Sequence, residues 1–425
     1  MNQTESAPAA TPLYIHSCGF HSALGLDHHD IHTRLAQGHS PDMQVCDNML
    51  NDGTSTVIGK VSADLASLPI ALKAFDTHNN RLVQSALVQI APSVAQAIAQ
   101  YGRDRIAVIV GSSTSGIADG ETALKAQALD GKFPAEFHYH QQELGNLSEF
   151  IADYFQLQGP TYTVSTACSS SGRVFLSAQR LLQSGLADAV IVGGADSLCK
   201  LTLNGFHGLE ALSNERCNPF SANRKGINIG EAAAFMLLSQ DKPAANAEDF
   251  DTSSDTRSDK RTDNNQPAIA LLGAGDSSDA HHISAPHPEG NGAENAMRKA
   301  LTNAHLTPSD IGYINAHGTA TPLNDEMEAK AIHRVFGDKV PVSSTKPLTG
   351  HTLGAASAVE AAICWHVLRY NLSIPQQIND GERADSLAPI LLAEQHTALN
   401  NKAILSNSFA FGGNNISLIF GYVYD

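Results

Sequence analysis

A cysteine and two histidines stand in this chain at positions suited to chemistry. Cys168 lies among small residues, where a strand pattern gives way to a helical one. His317 and His351 each lie in a turn rich in glycine and threonine, not on an apolar face. A thiol with imidazole groups nearby is typical of nucleophilic catalysis on acyl groups. Because a lone histidine or cysteine is more often structural, the hypothesis depends on all three together.

The elements around Cys168 place its thiol at the start of a helix. Residues 161–167 predict a strand, and the residues after Cys168 predict a helix that ends near Gly185. The helix N-terminus stabilises a thiolate by about 1–2 kcal/mol, which lowers the thiol pKa by about 1.5 at most. A free thiol with a pKa near 8.5 would then be only about half ionised at pH 7. We therefore expect a basic partner for Cys168 elsewhere in the chain.

The remaining cysteines are interpreted as reduced and unreactive. Six cysteines without a CxxC motif argue against both a disulfide framework and a zinc site. Cysteine is also among the most frequently buried residue types. The five cysteines assigned to the core are Cys18, Cys46, Cys199, Cys217 and Cys364.

Composition limits the possible functions. The length of 425 residues suggests two subdomains or a duplicated architecture. A formal net charge of −16, without a run of Lys or Arg, argues against nucleic-acid binding. No stretch approaches the about 20 apolar residues of a membrane span, and the N-terminus does not resemble a signal peptide. These features predict a cytoplasmic enzyme without a membrane span.

Strand and helix patterns alternate in both halves of the chain, which predicts two related α/β halves. We divide the chain into a flexible N-terminus (1–12), a first half (13–243), a polar inserted loop (244–266) and a second half (267–425). The inserted loop is charged and low in complexity, and is predicted to be disordered. Strands are predicted at 13–19, 105–111, 187–194, 232–238, 267–273, 311–315, 340–344, 403–413 and 416–420, helices at 30–37, 81–99, 146–156, 294–306, 325–336 and 354–370, and an irregular stretch at 209–230.

Four segments together resemble the β-ketoacyl-acyl carrier protein synthases of the decarboxylating Cys-His-His class. The resemblance runs from about Leu13 to Phe420, leaving out the 244–266 loop. The four segments are Thr-Ala-Cys-Ser-Ser (166–170), His-Gly-Thr-Ala-Thr (317–321), Lys-Pro-Leu-Thr-Gly-His (346–351) and Ser-Phe-Ala-Phe-Gly-Gly-Asn (408–414).

This resemblance implies a thiolase fold, with two related α/β halves in a five-layer αβαβα sandwich. It also implies a decarboxylative Claisen condensation. Cys168 would take an acyl group from acyl carrier protein, and His317 and His351 would hold the enolate formed when malonyl-carrier protein loses carbon dioxide. The substrates would be carried on phosphopantetheine, and the enzyme would need no metal or cofactor of its own.

The resemblance also assigns supporting roles near the histidines. Lys346 would be an orienting charge, with Glu360 as its partner, although the two could simply form an ordinary ion pair. Thr319 and Thr321 would bind the phosphopantetheine arm, and are otherwise turn residues.

Two further segments resemble the gates of the family. Phe411 would supply an oxyanion-hole N–H and act as a gating residue in a glycine-rich hinge. Asp279 would belong to a second gating loop. The segment around Thr114 would line the acyl channel near the subunit interface.

Some segments point to a specialised pathway. The lysine-rich patch that commonly docks carrier protein is thin at 73–81. Residues 168–173 and 79–82 resemble ketosynthases of aryl polyene pathways, which pair with a chain-length factor. The chain could therefore form a homodimer or a heterodimer with such a homologue.

Three alternatives compete with this assignment. The main alternative is that the chain is itself a non-catalytic chain-length factor, although such subunits typically lack the cysteine. A thiolase would need a second catalytic cysteine where Phe411 stands, and the initiating synthases have Asn where His351 stands.

Overall fold

The computed structural model describes residues 12–243, 267–401 and 403–424. The predicted inserted loop (244–266) lies outside the described residues, as does all but the last residue of the predicted flexible N-terminus (1–12). Both assignments therefore stay predictions.

The first half contains alternating strands and helices, followed by an antiparallel strand. Its elements are β1 (Leu13–His21), α1 (His28–Gln37), β2 (Met43–Cys46), β3 (Thr56–Gly59), α2 (His78–Tyr101), β4 (Ile106–Gly111), α3 (Ile117–Asp130), α4 (Asn146–Phe155), β5 (Thr161–Val164), α5 (Ser170–Gln183), β6 (Ala189–Asp196), α6 (Lys200–Gly208), β7 (Ile229–Gly230) and β8 (Ala232–Ser239).

The second half repeats the alternation and ends in a long antiparallel pair. Its elements are β9 (Ala268–Ser278), α7 (Asn291–Ala304), β10 (Ile311–Asn315), α8 (Pro322–Phe336), β11 (Pro341–Ser343), the single turn α9 (Lys346–Thr349), α10 (Ala356–Arg369), β12 (Leu391–Leu392), β13 (Ala403–Ala410) and β14 (Asn414–Val423). Short 3₁₀ turns connect several of them.

The strands of the two halves join into one hydrogen-bonded sheet of eleven strands. The order is β12-β11-β10-β13-β14-β9-β1-β8-β6-β4-β5. The halves meet where β1 pairs with β9, with Leu13 opposite Leu271. A separate small sheet contains β2, β3 and β7. The two halves predicted from the alternating pattern are therefore present, and their strands are continuous at one junction.

The helices form three layers. Two of these layers cover the outer surfaces of the two halves of the sheet, and the third lies between the halves. Helices α2 and α4 pack on the first half, and α7 packs on the second half and against α8. Helices α5 and α10 lie between the halves, and α10 is buried along nearly its whole length. Three large apolar clusters fill these contacts. This arrangement confirms the five-layer thiolase fold.

Helix α2 corrects the expectation that no stretch could span a membrane. By length and composition alone, this 24-residue helix is apolar enough to cross one. In the fold it packs on β1 and β8 through a buried stripe that includes Leu82, Ala86 and Ile90. An apolar stripe of this kind is what a core-facing helix requires.

Helices α3 and α6 were missed by the sequence interpretation. Helix α3 buries only Gly120 and Ala123, and α6 buries only Leu203. Neither therefore carries the broad apolar stripe on which helix prediction depends. Between Leu209 and Gly230, predicted as irregular, the structure has only the two-residue strand β7.

Candidate active site

Cys168 lies in a tight elbow between β5 and α5, as its position at a strand-to-helix junction predicted. Ala167, just before it, has a φ of 53°, a conformation uncommon for a residue with a side chain. The Ser170 hydroxyl stabilises the elbow by accepting the Thr166 N–H at 2.8 Å. The side chain of Cys168 is buried, and the elbow directs it away from the body of α5 into a cavity.

His351 is the imidazole in contact with the Cys168 thiol. Its Nε2 atom lies 2.9 Å from the Cys168 Sγ atom. The His351 N–H donates to the Asn228 carbonyl at 2.6 Å, and the His351 carbonyl accepts the Gly230 N–H at 3.0 Å. These backbone bonds fix the imidazole against the thiol.

His317 lies close to both Cys168 and His351. Both carboxylate oxygens of Glu328, on α8, accept N–H groups of the turn, from His317 at 2.8 Å and from Gly318 at 2.7 Å. The two imidazole rings are 5.4 Å apart and nearly perpendicular. One ligand-type atom each of Cys168, His317 and His351 lies within 4.8 Å of the others. The fold therefore brings together three residues separated by up to 183 positions.

The electrostatics of Cys168 differ from the sequence expectation. Burial raises the pKa of the thiol to about 11, because a thiolate loses hydration inside the protein. Lys346 and the backbone N–H groups of Phe411 and Cys168 act in the opposite direction, but do not offset burial. The helix N-terminus therefore does not keep Cys168 ionised at rest. A reaction at this sulfur would require the thiol to lose its proton, and the imidazole in contact with it is that of His351.

Both imidazoles are held neutral at ordinary pH. Burial, followed by the charge on Lys346, keeps the pKa of His317 and of His351 well below the usual value for histidine. A neutral imidazole has one N–H and one acceptor nitrogen. Each histidine can therefore accept a proton or donate a hydrogen bond in the same cavity.

Lys346 and Glu360 form a fully buried ion pair beside the histidines. Lys346 Nζ contacts Glu360 Oε1 and also donates to the backbone carbonyl of His317. Burial raises the pKa of Glu360, while Lys346 and the Ser408 hydroxyl oppose this effect. The pair places a positive charge behind the two imidazoles.

Removing one partner of this pair is expected to destabilise the fold. Lys346→Met leaves the carboxyl of Glu360 buried without its cation, and breaking such a pair typically costs about 3–5 kcal/mol. The free energy of unfolding in urea measures the effect. The double variant Lys346→Met/Glu360→Met should recover part of the loss, since it leaves no charge unpaired. Equal stability of Lys346→Met and the native chain would show that the pair carries no such penalty.

The three reactive groups open onto a cavity of about 310 Å³. Of the residues assigned from the sequence, Thr319, Thr321, Asp279 and Phe411 line it. The hydroxyl oxygens of Thr319 and Thr321 are 3.0 Å apart. Thr114, expected along the acyl channel, is not among the lining residues and is fully buried.

Phe411 and Asp279 lie on two loops that hydrogen-bond to each other. The Asp279 N–H donates to the Gly413 carbonyl at 2.8 Å, and the Gly412 N–H donates to the Ile283 carbonyl at 2.7 Å. Gly412 has a φ of 80°, which favours glycine in this turn. The Phe411 ring packs against Phe206, with ring centres 5.6 Å apart. The two assigned gate residues thus belong to one connected structure at the cavity.

Several site residues were not found from the sequence. Asn415 lines the cavity, and its Nδ2 donates to Asp279 Oδ1 at 2.7 Å. Glu328 holds the His317 turn, and Asn228 holds His351. Asn415 could have been suspected from its place beside the Phe-Gly-Gly turn. Asn228 lies in a stretch without helical or strand periodicity, and no sequence pattern indicated that it would contact His351.

The same three side chains also have the composition of a metal site. A thiolate and two imidazoles are common zinc ligands. The expectation from cysteine spacing did not cover such a group, because its members are distant in sequence. Activity in the presence of a chelator distinguishes nucleophilic chemistry from metal binding at these residues.

Comparison of the sequence with known families gives two matches. The family "Beta-ketoacyl synthase, N-terminal domain" matches residues 85–244, and "Beta-ketoacyl synthase, C-terminal domain" matches residues 269–379. The chain is 32% identical to Nodulation protein E of Rhizobium leguminosarum bv. trifolii over 404 residues, covering 88% of this chain and 94% of that protein. It is 29% identical to the chloroplastic 3-oxoacyl-[acyl-carrier-protein] synthase II of Arabidopsis thaliana over 416 residues, covering 95% of this chain and 74% of that protein.

Solved structures resemble the whole chain. A ketosynthase in complex with its chain length factor, from Xenorhabdus doucetiae, is 45% identical, with a TM-score of 0.89, and the match covers 98% of this chain and all of that one. The ishigamide ketosynthase/chain length factor is 24% identical with a TM-score of 0.81, which supports the fold.

Proposed function

Because this chain belongs to the β-ketoacyl synthase family, we propose that it joins an acyl thioester to malonyl-acyl carrier protein by decarboxylative Claisen condensation, with Cys168 as the nucleophile. The product is a β-ketoacyl thioester that is two carbons longer. The observation that carries the proposal is the contact between the buried thiol and a neutral imidazole, with a second neutral imidazole facing the same cavity.

In the first step Cys168 accepts the acyl group. The thiol proton passes to His351 Nε2, the sulfur attacks the thioester carbonyl, and the thiol of the carrier arm leaves with a proton. The carbonyl oxygen becomes negative during the attack. The N–H groups of Cys168 and Phe411 already point toward the sulfur and are the donors for this oxyanion. Thr319 and Thr321 offer hydroxyls to the phosphopantetheine arm along the cavity.

In the second step the malonyl group supplies the carbon nucleophile. Its C–C bond breaks, carbon dioxide leaves, and the electron pair moves onto the thioester oxygen. N–H groups of His317 and His351 hold this enolate, whose carbon then attacks the acyl-cysteine carbonyl. The bond to the Cys168 sulfur breaks, the sulfur leaves as a thiolate, and uptake of one proton from solvent restores the thiol. The charge on Lys346, in contact with the His317 carbonyl, supports the negative charge of the enolate.

Mass spectrometry of the intact protein tests this function. After incubation with acyl-carrier protein, the chain should gain the mass of one acyl group. Malonyl-carrier protein added second should remove that mass and yield carbon dioxide and a carrier-bound product two carbons longer. The reaction should proceed unchanged in excess EDTA. Loss of activity in EDTA, restored by zinc, would instead favour a metal site at the three residues.

We extend the proposal to a specialised pathway and a paired subunit. The support is the 45% identity to a ketosynthase solved with a chain length factor, together with the resemblance of residues 79–82 and 168–173 to aryl polyene ketosynthases. A catalytic cysteine and both histidines argue against the alternative that this chain is itself the non-catalytic factor. The assigned reaction uses carrier-bound substrates of the cytoplasm, where we place the enzyme.

The free edge of β5 is the proposed contact with the partner subunit. Strand β5 ends the sheet and pairs only with β4 among the described strands. Tyr162 on this strand is a large apolar side chain and is 40% exposed. Unpaired edges and exposed large apolar side chains are typical of surfaces that another chain covers.

Tyr162→Arg is therefore expected to weaken assembly. A charge at the centre of this edge would be desolvated on pairing. Size-exclusion chromatography with light scattering should give a two-chain mass for the native assembly and the 45.0 kDa single-chain mass for the variant. Leu391→Arg, at the opposite edge of the sheet and 43% exposed, is the matched control and should remain assembled. A two-chain mass for Tyr162→Arg would remove β5 as the interface.

A further inference from the structure

Asp196 is a fully buried carboxylate at the end of β6. Five groups donate to it, all of them neutral. Its Oδ1 atom accepts the Ser112 hydroxyl at 2.9 Å, the Ser113 N–H at 2.7 Å, and the N–H and hydroxyl of Thr114 at 2.7 and 2.8 Å. Its Oδ2 atom accepts the Ala355 N–H at 2.9 Å. So complete a set of donors explains how the carboxylate is tolerated without a counter-charge.

The two oxygens of Asp196 bind different halves of the molecule. Oδ1 holds the turn after β4, in the first half. Oδ2 holds Ala355, four residues beyond His351 and directly before α10. Between His351 and Ala355, Leu353 has a φ of 51°, a backbone conformation that is uncommon for a residue with a side chain. Such a backbone conformation persists when contacts with the surrounding structure hold it, as the hydrogen bond to Asp196 does.

The nucleophile helix meets the same junction. The Ser171 hydroxyl, in the first turn of α5, accepts the Ala358 N–H at 3.0 Å. A Cβ atom added to Gly194 would lie 2.6 Å from the Gly111 carbonyl oxygen, 2.9 Å from the Ser171 Cβ and 3.3 Å from the Ala355 Cα. The first turns of α5 and α10 are therefore in close contact beside Asp196.

From this geometry we propose that Asp196 is a positioning residue of the condensation: it anchors the segment that follows His351 to the first half and so maintains the contact between His351 Nε2 and Cys168 Sγ. Asp196 acts through the backbone and does not touch the reacting atoms. This inference rests on the proposed function, since it concerns the same histidine and cysteine.

A carboxylate is required at this position because of the number and type of donors. Oδ1 faces four donors, two of them backbone N–H groups that cannot reorient. In Asp196→Asn one of the two oxygens becomes an NH₂ group, which would face N–H groups with its own hydrogens. Either the turn after β4 or Ala355 would then lose its anchor, although the size of the side chain is unchanged.

The test compares steady-state decarboxylation of malonyl-carrier protein by the native enzyme and by Asp196→Asn. We expect kcat to fall by about tenfold or more, since small displacements of catalytic groups have effects of this order. KM should stay within about twofold, because the cavity mouth that binds the carrier arm is not altered. A purely structural role would lower the amount of folded enzyme but not kcat per folded molecule.

Val94→Ala is the matched control for lost stability. Val94 is fully buried in α2, in the apolar cluster of the first half, and does not line the cavity that holds the histidines. At comparable loss of melting temperature it should keep the native kcat and KM. An equal fall in kcat in both variants, or an unchanged kcat in Asp196→Asn, would overturn the proposal.

Thr114→Val tests the positioning role of Asp196 if the variant Asp196→Asn does not fold. It keeps the shape of the side chain and removes the hydroxyl that donates to Asp196. A fall in kcat of about threefold at constant KM supports the proposal, and an unchanged kcat overturns it. The rate of the native enzyme separates a failure of this proposal from a failure of the proposed function. If the native enzyme does not decarboxylate malonyl-carrier protein, the proposed function fails. If the native enzyme is active and the variants have the same kcat, only the role of Asp196 fails.

Discussion

Cys168→Ala is expected to abolish the acyl adduct and all condensation. The variant lacks the sulfur that forms the thioester, and no other described cysteine hydrogen-bonds to an imidazole. The buried cysteines Cys18, Cys217 and Cys364 do not line the cavity, so they are not placed to accept the acyl group in its stead. Mass spectrometry of the intact protein after incubation with acyl-carrier protein measures the loss directly.

Cys46→Ala is the control for this experiment. Cys46 is the one described cysteine that is not buried, so it is the site at which nonspecific acylation would occur. The variant should carry the acyl group and turn over at the native rate. An adduct that persists in Cys168→Ala but disappears in Cys46→Ala would contradict the assignment of the nucleophile.

His317→Ala and His351→Ala are expected to impair decarboxylation more than acylation. Removing one donor to a developing oxyanion typically lowers the rate by about 10²–10³-fold. Acylation depends instead on the thiol and the backbone N–H groups near it, which both variants retain, and on His351 as the proton acceptor, which only His351→Ala removes. Of the two, His351→Ala should slow acylation more, because only His351 contacts the sulfur in the described structure. Single-turnover acylation and release of labelled carbon dioxide measure the two steps separately.

A surface histidine provides the matched control. His140 pairs with Glu143 and Glu149, and its side chain is 42% exposed. His140→Ala should leave both steps unchanged. Equal losses of acylation and decarboxylation in His317→Ala would contradict the proposed division of roles.

The pH dependence of decarboxylation follows from the same environment. The pKa values of His317 and His351 lie well below 6.5, because burial disfavours the charged form. Lowering the pH through 6.5 therefore leaves both imidazoles neutral in the folded enzyme, and the rate should not fall in that range. A loss of decarboxylation with a midpoint near 6.5 in a fully folded sample would show that an ordinary, exposed histidine controls the step.

Long periodic elements of the fold could be predicted from the sequence. The stripe of α2 predicted its length to within three residues at each end, and the apolar run of β4 predicted a strand buried on both faces. The predicted strand at 311–315 is β10. Helices α3 and α6 were not predicted, and each of them buries few side chains.

The candidate active site, like the fold, could be predicted only in part from the sequence. The types of Cys168, His317 and His351, and the residues of the turns around them, are enough to indicate the chemistry. The pKa of Cys168 could not be predicted, since local helix geometry lowers it whereas burial by distant segments raises it by more. Asn228 and Asp196 could not be found either, because their roles consist of contacts between segments far apart in the chain, 159 positions for Asp196 and Ala355.

The sequence by itself predicted which residue is the nucleophile, the likeness to a family and the order of the α/β elements. These depend on residue types and on periodicities that are local to short segments. The tertiary structure alone decided which groups touch, which charges are desolvated and which carboxylate anchors the second half to the first. Those properties arise from packing between segments that are distant along the chain, and no local pattern records them.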